Sequence, residues 1–416
     1  MFWKSQRKTH RIYLDAAAAT PISPAARKAL VQTLTVYGNP GALHQEALAA
    51  KAELDHSREI IATTIGAHAD EIIFTSGGTE GNNLAIDGML RPFLRAGGRV
   101  HAITSSIEHP SVLEPLRALQ VEGVLLTELP VDEAGLVSAK DVAAAVTDDT
   151  VFVSVQMVNS EIGTIEPIRE IAKEIRRIKK ERAESPALSE QRPLYFHCDA
   201  SQAPLWLSVG VEQLGVDLLT LDGQKICGPK GVGALYVRRG VPLEGQSRGG
   251  GQERGRRGGT ENVLLTGSFA AALQEAQAHV DERVVRVTSA RDLLYTEIAR
   301  RIPTAVVNGA WDIPAPTPHK TTPQVRVANN LNISIPGLDG EMAVIALDAE
   351  GVAASTRSAC DSSDEKPSHV LVALGLDQYR TKSAIRLTLL PTTKRSEVIQ
   401  VAKILAVVAD RYKSMA

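Results

Sequence analysis

Between Pro24 and about Ala270, short apolar runs alternate with amphipathic stretches, and this alternation limits the fold more than any other feature of the chain. Runs at 72–75, 100–104, 124–129, 151–157, 195–199, 218–221 and 234–237 have the length of strands. Segments between them, such as 81–94, 112–120, 138–145 and 168–184, read as helices. This pattern predicts an α/β domain with a mostly parallel sheet, because each parallel return needs a crossover. In such sheets ligands gather at the carboxyl ends of strands, so the residues just after each run are the ones to inspect.

From about residue 271 a long helical run leads to a second layer, with strand-length runs at 332–335, 352–355 and 384–389 and a closing helix over 395–413. Three parts are expected: an N-terminal segment, 1–22, joining a small domain; a large domain, 23–270; and a smaller α/β C-terminal domain, 271–416. The charged stretch 179–193 reads as a surface excursion, and Pro314, Pro316, Pro318 and Pro323 make 313–324 a poor helix or strand. At 416 residues, 44% hydrophobic and 23% charged, the chain has an ordinary globular composition, and a net charge of −2 gives no global pull toward nucleic acid or an anionic membrane. No stretch approaches the ~18 apolar residues of a spanning helix, and the N-terminus lacks the apolar run of a signal peptide. Three widely spaced cysteines, Cys198, Cys227 and Cys360, argue against a disulfide framework or a CxxC metal site, so no metal and a reducing, cytoplasmic setting are expected.

Four strand ends carry chemistry. Lys225 follows the run 216–221 in a glycine-rich bend; such a lysine is either a solvated charge or, if desolvated in a pocket, an amine able to form a Schiff base. Thr75–Asn83 follows a strand and opens a helix, with glycines that let the backbone approach an anion; it is neither GxGxxG nor GxxxxGK[ST], and an ordinary Ser/Thr cap is the plainer alternative. His109 follows the strand ending near Ser105, where it could stack on an aromatic ligand, move a proton, or do neither. Asp199 ends a strand in the expected cleft and is costly there unless it caps a helix or meets a cation such as a protonated pyridine nitrogen. Lysine, aspartate and a phosphate-type loop at three strand ends together meet the needs of pyridoxal phosphate. Cys360 lies among small, polar and charged residues, a composition that favours an exposed loop over a buried structural thiol. The segment from Arg248 to Thr260 looks like an Arg-Gly nucleic-acid motif but lacks interleaved aromatics.

The chain resembles the NifS/IscS-type cysteine desulfurases of the class V aminotransferase group. The resemblance rests on collinear motifs over nearly the whole chain: Tyr13-Leu14-Asp15, Tyr37-Gly38-Asn39-Pro40 with His44, the Thr75–Asn83 loop, Glu108-His109, Asn159–Gly163, His197–Gln202, Lys225 with Gly228–Gly231, Gly249–Asn262, Asn330–Asn332, Ser358-Ala359-Cys360, Pro367-Ser368 and Ile385-Arg386. It implies a PLP-transferase fold of type I, with a large domain around a mostly parallel central sheet and a smaller α/β C-terminal domain. Lys225 would hold pyridoxal 5'-phosphate as a Schiff base, Asp199 would pair with the pyridine nitrogen, and His109 would stack over the ring. Gln202 would touch the phenolic oxygen, Gly78 and Thr79 would bind the phosphate, and Thr260 would reach it from the other subunit of a homodimer. Asn159 and Arg386 would hold the substrate carboxylate, with Asn39 in the same entry region. Cys360, on a loop at about 356–367, would take sulfur from L-cysteine as a persulfide, leaving L-alanine, and supply iron–sulfur assembly or tRNA thiolation through an acceptor protein.

Departures from the family pattern lie at three places, the first beside the lysine. Ser-x-His-Lys becomes Asp222-Gly223-Gln224-Lys225, and the two replaced residues normally help hold the phosphate. Gln224 can still donate a hydrogen bond, whereas the carboxylate of Asp222 repels a dianion. Arg357 replaces a glycine before Ser-Ala-Cys, and Leu390-Pro391 removes a second arginine after Arg386. Selenocysteine lyase or another class V activity, and a desulfurase-like scaffold without turnover, are the rival readings.

Overall fold

The computed structural model describes residues 11–184, 193–311, 324–356 and 367–413. In chain order its strands are β1 (Ile12–Tyr13), β2 (Ile72–Thr75), β3 (Val100–Ser105), β4 (Val124–Leu129), β5 (Thr150–Ser154) and β6 (Tyr195–Asp199). They continue as β7 (Leu218–Asp222), β8 (Gly233–Val237), β9 (Val306–Val307), β10 (Asn330–Ser334), β11 (Val352–Ala353) and β12 (Ala384–Thr388). Seven form one sheet in the order β2-β8-β7-β6-β5-β3-β4, parallel except for β8, which runs antiparallel to both its neighbours. Strands β3, β5, β7 and β8 are buried along their whole length. Burial on both faces is why they read as continuous apolar runs rather than as alternating ones.

Side-chain alternation divides the core between the two faces of this sheet. Ile73, Ala102, Phe152, Leu218 and Leu235 pack with Leu84, Ile86 and Met89 of helix α3 (Gly78–Arg95). Their chain neighbours Phe74, Ile103, Val153, Leu219 and Ala234 join the larger core on the other face. Helix α1 (Pro24–Thr33) and helix α2 (Gln45–Ile65) pack against the helix Val263–Ala278. Helix α2 is not among those the sequence predicts, since its buried positions, Ala47, Ala50, Leu54, Ile61 and Ile65, are diluted by polar neighbours. Its start is set by His44, whose Nδ1 accepts from the amide of Ala47.

The helix Val280–Arg301 packs instead against the closing helix Arg395–Lys413. The division expected at about residue 270 therefore falls inside the helix Val263–Ala278, and the change of packing partners comes at His279. Beyond it, β12-β10-β9 form a three-stranded antiparallel sheet. The N-terminal segment joins this region: β1 pairs in parallel with β11, and Asp15 bridges Thr388. No helix among the described residues is long and apolar enough to cross a membrane.

The Arg-Gly segment is tied to the large sheet by a buried ion pair. Arg58 Nη1 and Nη2 each donate to Glu253 at 2.7 Å, and the amide of Phe74 donates to the same carboxylate at 3.0 Å. The pair holds a turn in which Glu253 and Arg254 both adopt positive φ, 45° and 58°, a region that non-glycine residues enter only under constraint. Arg254 donates to backbone carbonyls of 69–72, and Arg257 pairs with Glu80, so both arginines are engaged within the chain. Truncating one member leaves the other buried and unpaired. Arg58→Ala should cost about 3–5 kcal/mol in urea unfolding, and a loss below about 1 kcal/mol would mean that the pair does not hold this turn.

Candidate active site

Three elements converge at the carboxyl edge of the sheet. Strand β6 ends at Asp199, β7 ends at Asp222 and leads into a single 3-10 turn, Gly223–Lys225, and β2 leads into helix α3 (Gly78–Arg95). Between them lies a cavity of about 280 Å³. Of the residues the sequence assigns to the site, Lys225, Asp199, His109, Gln202, Gly78, Thr79, Asp222, Gln224 and Arg386 line it. They come from positions up to 308 apart in the chain, 386 minus 78, and only the topology brings them together.

Lys225 is half-buried, and its Nζ donates to the carbonyls of Ala17 at 2.9 Å and Ala18 at 2.6 Å. Gln202 Nε2 donates to the same Ala17 carbonyl at 2.9 Å. Asp199 is 8% exposed. Its Oδ2 accepts from Asn82 Nδ2 at 2.7 Å and its Oδ1 from the amide of Ser201 at 2.9 Å. No salt bridge reaches this carboxylate among the described residues, so its charge is met only by neutral donors. His109 Nδ1 accepts from the amide of Ser111 at 3.1 Å and lies 2.7 Å from Ser111 Oγ. An amide can only donate, which makes this nitrogen an acceptor and leaves the ring proton on Nε2.

The start of α3 is shaped for an anion. Its N-cap, Gly77, has φ 150° and ψ −175°, a conformation essentially reserved for glycine, and supplies no side-chain cap. The amides of the first turn therefore lack a side-chain cap from Gly77, and Gly78 and Thr79 line the cavity. A Cβ on Gly78 would lie 2.7 Å from Ser201 Oγ and 3.3 Å from Asp222, so glycine leaves this cradle open without displacing either side chain. Asn82 Oδ1 is buried without a donor. An amine at Lys225, a buried uncompensated carboxylate at Asp199 and an uncapped helix start suit an aromatic aldehyde bearing a basic ring nitrogen and a phosphate. One feature is less suited: Gln224 Nε2 donates to Asp222 Oδ2 at 3.2 Å, so the donor expected to face a phosphate is directed at its neighbour.

Arg386 is 1% exposed at the opposite wall, where its Nη2 donates to Asp15 at 2.9 Å and its Nη1 to the Ser160 carbonyl at 3.2 Å. Its Nε is buried with no hydrogen-bond partner among the described residues. The pairing with Asp15 has no sequence signal, since 371 residues separate the two. Asn82 and Ser111 were likewise unassigned by sequence; the only trace is a polar residue on the otherwise small and apolar buried face of α3.

Three expected residues stand apart. Asn159 is buried, but its Nδ2 donates to the Ile107 carbonyl and its Oδ1 accepts from the amides of Glu161 and Ile162, so it braces the cleft wall rather than lining the cavity. Asn39 is exposed and turns its Oδ1 to the amide of Gly41. Thr260 is exposed and outside the cavity. Cys360 and Arg357 lie outside the described residues. The segment carrying them, 357–366, is flanked on both sides by cleft residues: Ser355 pairs with the backbone of Arg386, Ser368 Oγ donates to Glu161 at 2.6 Å, and the His369 ring lies 3.0 Å from the Glu108 carbonyl. Cys198 is fully buried, and burial pushes its thiol well above the usual range; burial also raises Cys227. Neither is an activated thiol.

Beneath His109, Glu108 is fully buried, accepting from Ser105 Oγ at 2.5 Å and from the amide of Gln156 at 3.0 Å, with Oε2 unpartnered. Burial, reinforced by the charge of Asp199, pushes it from 4.5 up to about 8.

The family model for aminotransferase class-V matches residues 12–401. The chain is 40% identical over 385 residues to a cysteine desulfurase IscS of Dictyoglomus turgidum, covering 92% of this chain and 91% of that protein. Among solved structures, a NifS-like protein superposes with a TM-score of 0.85 at 28% identity, covering 97% of this chain and all of that one. SspA in complex with cysteine superposes with a TM-score of 0.75 at 30% identity over 92% of this chain and all of that one.

The buried Glu108 makes stability depend on pH in a defined sense. Between its unfolded value of 4.5 and about 8, the folded chain keeps a proton that the unfolded chain releases. Stability therefore falls as pH rises through that window. Glu108→Gln removes the proton exchange and should flatten the fall in urea midpoint between about pH 5 and about pH 8. Parallel curves for variant and wild type would place the titration elsewhere.

Proposed function

The chain belongs to the aminotransferase class-V family and is a cysteine desulfurase, and on that premise we propose that Lys225, Asp199, His109, Arg386 and Cys360 divide the work of the reaction. The observation that carries this reading is the single cleft in which the Lys225 amine, the buried Asp199 carboxylate, the uncapped start of α3 and the Arg386 guanidinium face one another. Pyridoxal 5'-phosphate, when bound, supplies an electron sink that stabilises negative charge at the α-carbon of an amino acid.

Each side chain has a part that its surroundings explain. Asp199, held by Asn82 and the Ser201 amide, keeps a proton on the ring nitrogen because a buried carboxylate without a cation favours one. His109, with its proton on Nε2, would cover the ring face of the bound cofactor, and Gln202 would support its phenolic oxygen. The start of α3 takes the phosphate, with Gly78 and Thr79 in contact. Thr260 reaches the same phosphate from the second subunit of a homodimer, consistent with its exposure here. Arg386 receives the carboxylate of L-cysteine, since a guanidinium presents parallel donors to a planar anion. Asn159 acts one step removed, bracing the wall next to Ser160, and Asn39 lies outside it.

Lys225 Nζ, oriented by the carbonyls of Ala17 and Ala18, takes the proton from the substrate α-carbon and returns protons to the product. The thiolate of Cys360 bonds to the substrate sulfur as the carbon–sulfur bond breaks. The electron pair left on the β-carbon takes a proton, giving L-alanine and a Cys360 persulfide. An acceptor protein of an iron–sulfur or tRNA-thiolation system would then take the sulfur.

Alanine formation from L-cysteine tests this assignment. Lys225→Ala should lower its rate about a hundredfold or more, and Cys360→Ala should abolish the persulfide while leaving binding of the cofactor intact. Wild-type protein that forms alanine no faster than Lys225→Ala would overturn it.

A further inference from the structure

The cup at the start of α3 faces a carboxylate of its own chain. Asp222 closes β7, is 6% exposed, and pairs across the sheet with Gly233 of β8, so its backbone is fixed. Its Oδ1 accepts from the Gln224 amide and its Oδ2 from Gln224 Nε2, both at 3.2 Å, which fixes the side chain as well. A Cβ on Gly78 would stand 3.3 Å from Asp222 Oδ2, and one on Gly77 would stand 3.8 Å from Oδ1. The carboxylate thus lies where a side chain on Gly77 or Gly78 would meet it, beside the start of α3.

The charged groups around it do not offset it. On α3, Glu80 accepts from the amide of Ser76 and pairs with Arg257. At the end of β6, Asp199 adds a second negative charge, and the Lys225 amine is drawn toward Ala17 and Ala18. No salt bridge to Asp222 occurs among the described residues. The partial positive charge of a helix start favours one anion, whereas here a fixed carboxylate and an incoming phosphate would share it. Gln224 adds no positive charge to offset this carboxylate, and one N–H of its side-chain amide already points at Asp222.

We propose that Asp222, closed onto Gln224 beside Gly77 and Gly78, is the residue that sets cofactor affinity, by competing with the phosphate for the start of α3. The inference rests on the reading that this cup takes the phosphate of pyridoxal 5'-phosphate. On this account the phosphate contributes little to binding, and the chain distinguishes only weakly between pyridoxal 5'-phosphate and pyridoxal. Loading is then governed by how much cofactor is available.

The test is equilibrium titration of cofactor-free protein with pyridoxal 5'-phosphate and with pyridoxal, following the visible band that borohydride removes, alongside competition by inorganic phosphate. Asp222→Asn keeps the shape and a helix-capping oxygen while removing the charge; Asp222→Ser serves if the first variant does not fold. The neutral variant should bind pyridoxal 5'-phosphate about tenfold or more tightly, bind pyridoxal within about twofold of wild type, and be inhibited by lower inorganic phosphate. Unchanged or weaker binding of pyridoxal 5'-phosphate, or an equal gain for both ligands, would overturn the inference. A wild type that gives no band with either ligand would overturn the cofactor reading itself, and this inference with it.

Discussion

A buried carboxylate with no salt bridge among the described residues is the constraint on which this cleft depends. Asp199 is held by Asn82 and the Ser201 amide, both neutral donors, at the end of a central strand. Such a charge is costly to bury, and the cost is offset only when a protonated group arrives. His197, two residues earlier, does not serve. It is fully buried between Ser154 and Thr220, and burial pushes its imidazole down to about 4. The strand's own histidine therefore leaves the Asp199 carboxylate to its two neutral donors.

The rest of the cleft is assembled by the N-terminal segment. Ala17 accepts from both Lys225 and Gln202, Asp15 accepts from Arg386, and Thr20 Oγ1 joins the Gln224 carbonyl to the Cys227 amide. A few residues thus tie the lysine turn, the β6 end and β12 to one another. This explains how a side chain near the C-terminus can share a cavity with the large sheet, and why the pairing of β1 with β11 matters for catalysis as well as for packing.

The alternating pattern made the central sheet legible, because strands buried on both faces leave unbroken apolar runs. Helix α2 was not legible, because its buried apolar residues are small or widely spaced among polar and charged ones. Lys225, Asp199, His109 and the glycines before α3 could be found because each follows a strand. Asp15, Asn82 and Ser111 could not, because their partners are distant in sequence and their side chains are common. Asn159 shows the converse: a motif position whose side chain satisfies three backbone groups rather than the cavity. The Arg-Gly segment, which lacks interleaved aromatics, is held within the chain by the pairs of Glu253 with Arg58 and Arg257 with Glu80.

Removal of Asp222's rival charge alters how tightly the cup holds its ligand, but the identity of the site rests on Lys225. The most direct measurement is mass analysis of the proteolytic peptide that contains Lys225, after the purified protein has been mixed with pyridoxal 5'-phosphate and reduced with borohydride. The account predicts that this peptide alone carries the reduced pyridoxyl phosphate. Modification spread over surface lysines, with Lys225 unmodified, would contradict it.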